Sequence, residues 1–167
     1  MPGSKYLYAK DQKKYFLKLE GDLTYIACAG FKSFTDKILD ERLVEELYVD
    51  LSGAETIDST NLGILAKCAL YFMSKKQNKA VIYSDKQDIN LILNKNGFNT
   101  IFDIVGSTQY SSKEMSELTL KKFESREGLN NTLLDAHEVL SKINDSNKLK
   151  YKDVLEMLRF KRPSKNN

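Results

Sequence analysis

Between Lys14 and Val105 the chain alternates short apolar strand-like segments with longer segments whose apolar residues recur every three or four positions. That alternation is the strongest constraint on the fold, because period-two and period-3.6 patterns cannot be exchanged without turning apolar side chains towards water. "KYFLKL" (14–19) alternates as a strand and is expected to stop at Gly21. From Ala27 to Leu43, Cys28, Phe31, Phe34 and Ile38 lie on one helical face. "LYVDLS" (47–52) places Leu47, Val49 and Leu51 together, with Gly53 ending that strand. From Thr60 to Lys76 the stripe of Leu62, Leu65, Ala69 and Phe72 is widened by Ile64, Cys68 and Tyr71, which predicts a helix buried on more than one side. "AVIY" (80–83) is a β-branched strand. Ser84 and Gln87 form a capping-box pair for a helix carrying Ile89, Ile92 and Leu93, closed by Gly97. "TIFDIV" (100–105) reads as the last core strand, and a further strand is expected near 5–9. Strands alternating with helices predict an α/β fold with right-handed crossovers.

Beyond Gly106 the pattern changes. Residues 107–128 are polar and read as loose. Residues 129–159 read as helix, in two segments that are continuous or hinged. Leu133, His137, Leu140, Asn144, Asn147, Tyr151, Val154 and Leu158 follow alternating steps of four and three, a heptad-like seam with polar residues in its middle. "NDSNK" (144–148) is poor in helix formers and suits a new cap. The 167 residues therefore divide into a domain over 1–106 and an extension over 107–167 with a polar linker and a basic tail. Residues 146–167 hold seven Lys or Arg against two acids, a surplus of five that leaves the rest of this +3 chain at −2. Such a tail reads first as solvated surface, and no direct nucleic-acid binding is expected.

Several chemistries find no motif. Cys28 and Cys68 stand 40 residues apart, which matches neither a metal-ligand nor a redox pair, and both read as small buried hydrophobes. The single histidine, His137, lies on the apolar seam, where a packed residue is the plain reading; no metal site and no cofactor are expected. No G-x-S-x-G elbow, Walker A loop or G-x-G-x-x-G is present. A nucleophilic role for Ser59 would need a base within reach. The histidine is far away in sequence and is expected to be far in space, so no enzyme is read. Lys67 and Lys75 interrupt the most apolar region and the N-terminus lacks an apolar signal core, so no membrane span and a cytoplasmic location are expected.

"DLSGAETIDSTNLGIL" (50–65) asks for more. A helix needs one cap, worth about 1 kcal/mol, yet Asp58, Ser59 and Thr60 stand in a row. A serine in the first turn of a buried helix is also suited to accept a phosphoryl group. The helix end tolerates negative charge, while a partner packed over it would meet a group of roughly −1.5 to −2.

"YVDLSGAETIDSTNLGIL" resembles the signature of STAS domains, anti-sigma factor antagonists in particular: a strand, Asp-Leu-Ser, a short turn, then Ile-Asp-Ser-Thr and a helix. "KLEGDL" and "NKNGFNTIFDIV" resemble the flanking segments, so the likeness covers about residues 5–106. It implies a mixed sheet of four to five strands with packed helices, without catalytic activity, to which the C-terminal α-helical extension is added. It also implies that Ser59 is phosphorylated by a partner that is both Ser/Thr kinase and anti-sigma factor, and dephosphorylated by a PP2C-type phosphatase. The unmodified protein would bind the kinase and free a sigma factor, a bacterial mode of transcription regulation. Thr60 is a second, lesser acceptor. Asp50, Asp58, Thr60, Asn61, Leu62 and Gly63 would form the partner surface, Leu62 and Gly63 on an exposed helix end. Asn61 departs from the family's usual Gly, and the extension is not part of the pattern. Its helices would pack back on the sheet, contact a partner, or form a homodimer through the seam. The alternative implied by resemblance is an accessory STAS subunit of a lipid-transport ABC complex, in which the Ser/Thr site helps bind the ATPase.

Overall fold

The computed structural model describes residues 3–106 and 114–161. The first part of the expected loose segment, 107–113, and the end of the basic tail, 162–167, lie outside the described residues. A mixed sheet organises the chain. Strand β1 (Lys5–Asp11) pairs antiparallel with β2 (Lys14–Leu23), which runs parallel to β3 (Glu46–Asp50); β5 (Ala80–Tyr83) and β6 (Phe102–Val105) continue the parallel half. The spatial order is β6-β5-β3-β2-β1-β7, where β7 is the two-residue strand Ser116–Glu117 on β1. Parallel neighbours need crossovers, and the helical segments supply them. Helix α1 (Ala29–Asp40) joins β2 to β3, α2 (Ser59–Lys75) leads to β5, and α3 (Gln87–Lys95) to β6.

The sheet differs from the sequence expectation in three places, the first being β7, which lies in the segment read as loose. Strand β2 does not stop at Gly21: its register shifts between Gly21 and Asp22, and it continues to Leu23. That extra length pairs with β4 (Ala54–Ile57), a segment whose sequence suggests only a turn. Four residues with an Ala, a Glu and a Thr carry too little period-two signal to announce a strand, so long-range pairing decides it. The cap of α3 also differs. Ser84 does not cap it, because the Ser84 N–H donates to Val105 O at 2.9 Å and keeps that residue on the sheet, leaving Lys86 in the cap position. Gly97 does close this helix, in the left-handed region at φ 76°, where a side chain would be strained.

One face of β2 and β3 carries Leu17, Leu19, Leu23, Leu47 and Val49, all at most 1% exposed, against Phe31 and Ile38 of α1 and Leu65, Ala69 and Phe72 of α2. The extension belongs to the same core. Helix α4 (Arg126–Ser141) packs on α2, and α5 (Asp145–Lys150) and α6 (Lys152–Phe160) fold back on α4. As "NDSNK" suggested, the helix breaks there: Asn144 Oδ1 accepts from the Asn147 N–H at 2.8 Å and starts α5. The seam is occupied within the chain. His137, Leu140, Asn147, Tyr151 and Leu158 are all buried in it, so a homodimer would need another surface. Among the described residues no helix is long and apolar enough to cross a membrane.

Candidate functional site

The site is the first turn of α2, and its geometry follows from how that turn is capped. Asp58, extended at φ −85° and ψ 169°, is the N-cap. Its Oδ1 accepts from the Asn61 N–H and from Asn61 Nδ2, each at 2.9 Å, and its Oδ2 accepts from the Tyr25 N–H at 2.6 Å. A carboxylate here serves the free N–H groups and faces the positive end of the helix dipole. With Asp58 committed to capping, Ser59 is left in the first helical position with its hydroxyl free for another partner.

That partner is His137. Ser59 Oγ lies 2.8 Å from His137 Nε2, and His137 Nδ1 lies 2.5 Å from Leu133 O, one turn earlier on α4. This overturns the expectation that the single histidine stands far from Ser59. A carbonyl oxygen only accepts, so Nδ1 carries the proton; in the neutral ring Nε2 then accepts and the Ser59 hydroxyl donates. The ring is 6% exposed and meets Tyr151 edge-on at 5.5 Å between centroids. Tyr151 in turn donates its hydroxyl to Asn96 Oδ1 at the end of α3, and Asn147 Nδ2 donates to Asn96 O and Leu140 O, both at 2.9 Å. A polar chain thus ties α2, α4, α5 and α6 to the end of α3.

The other positions that the sequence singled out divide sharply, and the expected exposed helix end is not exposed. Thr60, Asn61, Leu62 and Gly63 are all buried. Leu62 lies in the core, and Gly63 is covered by Ala136 of α4. Between α1, α2 and α4 the remaining gap, lined among others by Gly63, Lys67, Thr132 and Ala136, is ≈ 10 Å³, room for about one water. Thr60 is buried and Ser59 half-buried, so Ser59 is the more accessible of the two residues. Asn61 explains the departure from glycine: its Oδ1 accepts from the buried Tyr6 hydroxyl at 2.7 Å while its Nδ2 binds Asp58, so one side chain ties β1 to the helix cap. Asp50 stands apart, accepting from the Ser52 N–H at 2.8 Å in the turn after β3.

Electrostatically the surroundings are desolvated, with Asp58 as the carboxylate that acts on Tyr6 and Cys28. Burial, followed by the charges of Cys28 and Asp58, raises the Tyr6 hydroxyl well above the usual phenol range, so it stays a donor. Burial likewise pushes the Cys28 thiol up to about 12, with Asp58 adding to it. Neither is a nucleophile in this state. Sequence reasoning missed Tyr6, Ala136 and the pairing role of His137. The i, i+4 spacing of Leu133 and His137 is the only local trace of the last, and it says nothing of Ser59.

A serine against a neutral imidazole has the form of a nucleophile and base. Here the ring is buried, packed edge-on against Tyr151, with both nitrogens engaged within the chain. The pairing reads as a contact between two helices.

Neither a family model nor a curated protein matches the sequence. Solved structures do match in shape. That of the anti-sigma factor antagonist SpoIIAA in its unphosphorylated form superposes with a TM-score of 0.52 at 10% identity, over 63% of this chain and 90% of that one. The Bacillus cell fate determinant SpoIIAA in the phosphorylated form gives 0.52 at 10% identity, over 63% and 92%. The chain therefore has the STAS fold of SpoIIAA, with a C-terminal set of helices packed against it.

Proposed function

We propose that this chain is a non-enzymatic, partner-switching regulator of the anti-sigma factor antagonist type, controlled by reversible phosphorylation of Ser59. The observation that carries the reading is the division of labour in the first turn of α2. Asp58 does the capping, which leaves Ser59 as the more accessible of the two hydroxyl residues at that helix end. The shared fold with a protein solved in both phosphorylated and unphosphorylated forms supports it.

In this reading an anti-sigma factor that is also a Ser/Thr kinase binds the unmodified chain. Transfer from a nucleoside triphosphate forms the Ser59 Oγ–P bond, releases the diphosphate, and passes the hydroxyl proton to a base of the kinase. Hydrolysis by a PP2C-type phosphatase restores the hydroxyl. The Asp50 turn and the rim of Asp58 and Ser59 are the surfaces open to such partners.

Phosphopeptide mapping of the protein from its source cells tests this. A phosphate on the peptide containing Ser59 that varies with growth conditions is expected. In pulldown, Ser59→Ala should retain a kinase and Ser59→Asp should weaken that binding by about tenfold or more, about 1.4 kcal/mol. Equal binding by two folded variants would sink the switch, and recovery of a transporter ATPase in place of a kinase would replace it with the accessory-subunit reading.

A further inference from the structure

We infer that helix α4 is a cover latched onto Ser59 through His137, and that a phosphate on Ser59 releases α4 from the STAS body. The inference rests on the reading of Ser59 as a modified residue, and adds what the modification does inside the chain.

Three observations carry it. First, the latch is built from a donor and an acceptor of fixed sense. Leu133 O holds the His137 proton on Nδ1, so Nε2 presents a lone pair to the Ser59 hydroxyl at 2.8 Å. A phosphoserine has no proton to give in its dianionic form, and its oxygens only accept. Phosphorylation would set acceptor against acceptor where a donor and an acceptor now meet, beside the Asp58 carboxylate.

Second, the interface has no slack. A Cβ built on Gly63 would fall 2.5 Å from Ala136 O and 2.6 Å from its Cα, so the two helix backbones are already at closest approach one turn from Ser59.

Third, α4 supports α5 and α6 on one side only. His137 packs on Tyr151 and Asn147 reaches Leu140 O, so displacement of α4 removes these contacts and leaves the last two helices held at the end of α3, through Asn147 and Tyr151 to Asn96 and Lys150 to Lys95 O. Phosphorylation would then expose the α2 face now under Ala136 and His137, a surface of different character from the one the unmodified protein shows.

The test uses the full chain with phosphoserine placed at position 59 by stop-codon suppression, compared with the unmodified chain by hydrogen–deuterium exchange. The amides of α4 are expected to exchange about tenfold faster or more in the phosphoserine chain, with β2, β3 and β5 unchanged. Ser59→Ala, which removes the hydrogen bond without adding bulk or charge, should keep α4 mostly protected. His137→Ala should reduce the acceleration caused by phosphoserine, since the opposing acceptor is gone. Equal or slower exchange of α4 in the phosphoserine chain, as an imidazolium gripping the phosphate would produce, overturns the latch. So does acceleration that is the same with and without His137. Because the phosphate is installed directly, a negative result here leaves open whether cells modify Ser59. An unmodified Ser59 in cells would defeat the proposed function without touching this result.

Discussion

Gly63 of α2 and Ala136 of α4 meet so closely that a methyl group on the glycine would lie 2.5 Å from the Ala136 Cβ and carbonyl oxygen. Gly63→Ala gains about 1 kcal/mol of helix propensity but forces the two backbones apart, at a cost of about 1–3 kcal/mol. Loosening of α4 with a net loss of stability is expected. Ala136→Gly should not rescue it, because Ala136 O and Cα remain in the way. Urea denaturation and exchange of the α4 amides check both statements, and a fully restored double variant would refute the backbone argument.

Asn61→Gly restores the residue that the family resemblance leads one to expect, and it should destabilise. It strands the buried Tyr6 hydroxyl, at about 1–3 kcal/mol, and adds a helical glycine at about 1 kcal/mol. Tyr6→Phe alone leaves Asn61 Oδ1 without its donor. Combining the two should cost less than the sum of the singles, with a coupling of about 0.5–3 kcal/mol in a double-mutant cycle. Strict additivity would mean that the 2.7 Å contact contributes nothing.

Cys28 and Cys68 are fully buried, and burial pushes both thiols up to about 12. Thiol reagents at pH 8 should therefore react with the native chain only as fast as it opens. A reaction rate that is unchanged between native buffer and urea would contradict that burial.

Stability should fall on the acid side. Lys10 Nζ and the Tyr15 hydroxyl each donate to Glu41 at 2.8 Å, and together hold its carboxyl below the ordinary value of 4.5. The Tyr48 hydroxyl and Lys14 do the same for Glu46. A depressed folded-state pKa means that the unfolded chain takes up protons first as pH drops. The contribution is present above about pH 4.5 and is lost as pH falls through the lower folded value. Glu41→Gln should flatten the decline of the urea midpoint between pH 6 and pH 3. An unchanged decline would show that other carboxylates govern it.

The sequence by itself determined what depends on near neighbours. The strands at 14–19, 47–50 and 80–83 and the buried helix after Asp58 were legible, because periodicity is local and binds each residue to its own element. Local chemistry also narrowed the cap to Asp58 or Ser59 and pointed to 144–148 as a place for a new cap; the structure puts these caps at Asp58 and Asn144. Local chemistry misled at Ser84, where a cap pattern is present but backbone pairing with Val105 wins, and it was silent on β4. The tertiary structure alone decided the site's environment. Ser59 meets His137 across 78 residues, and Asn61 meets Tyr6 across 55. No spacing rule joins such pairs; the first exists because a glycine on α2 and an alanine on α4 let two helices close to contact, and the second because β1 lies against the start of α2. That packing turned an expected open helix end into a covered one.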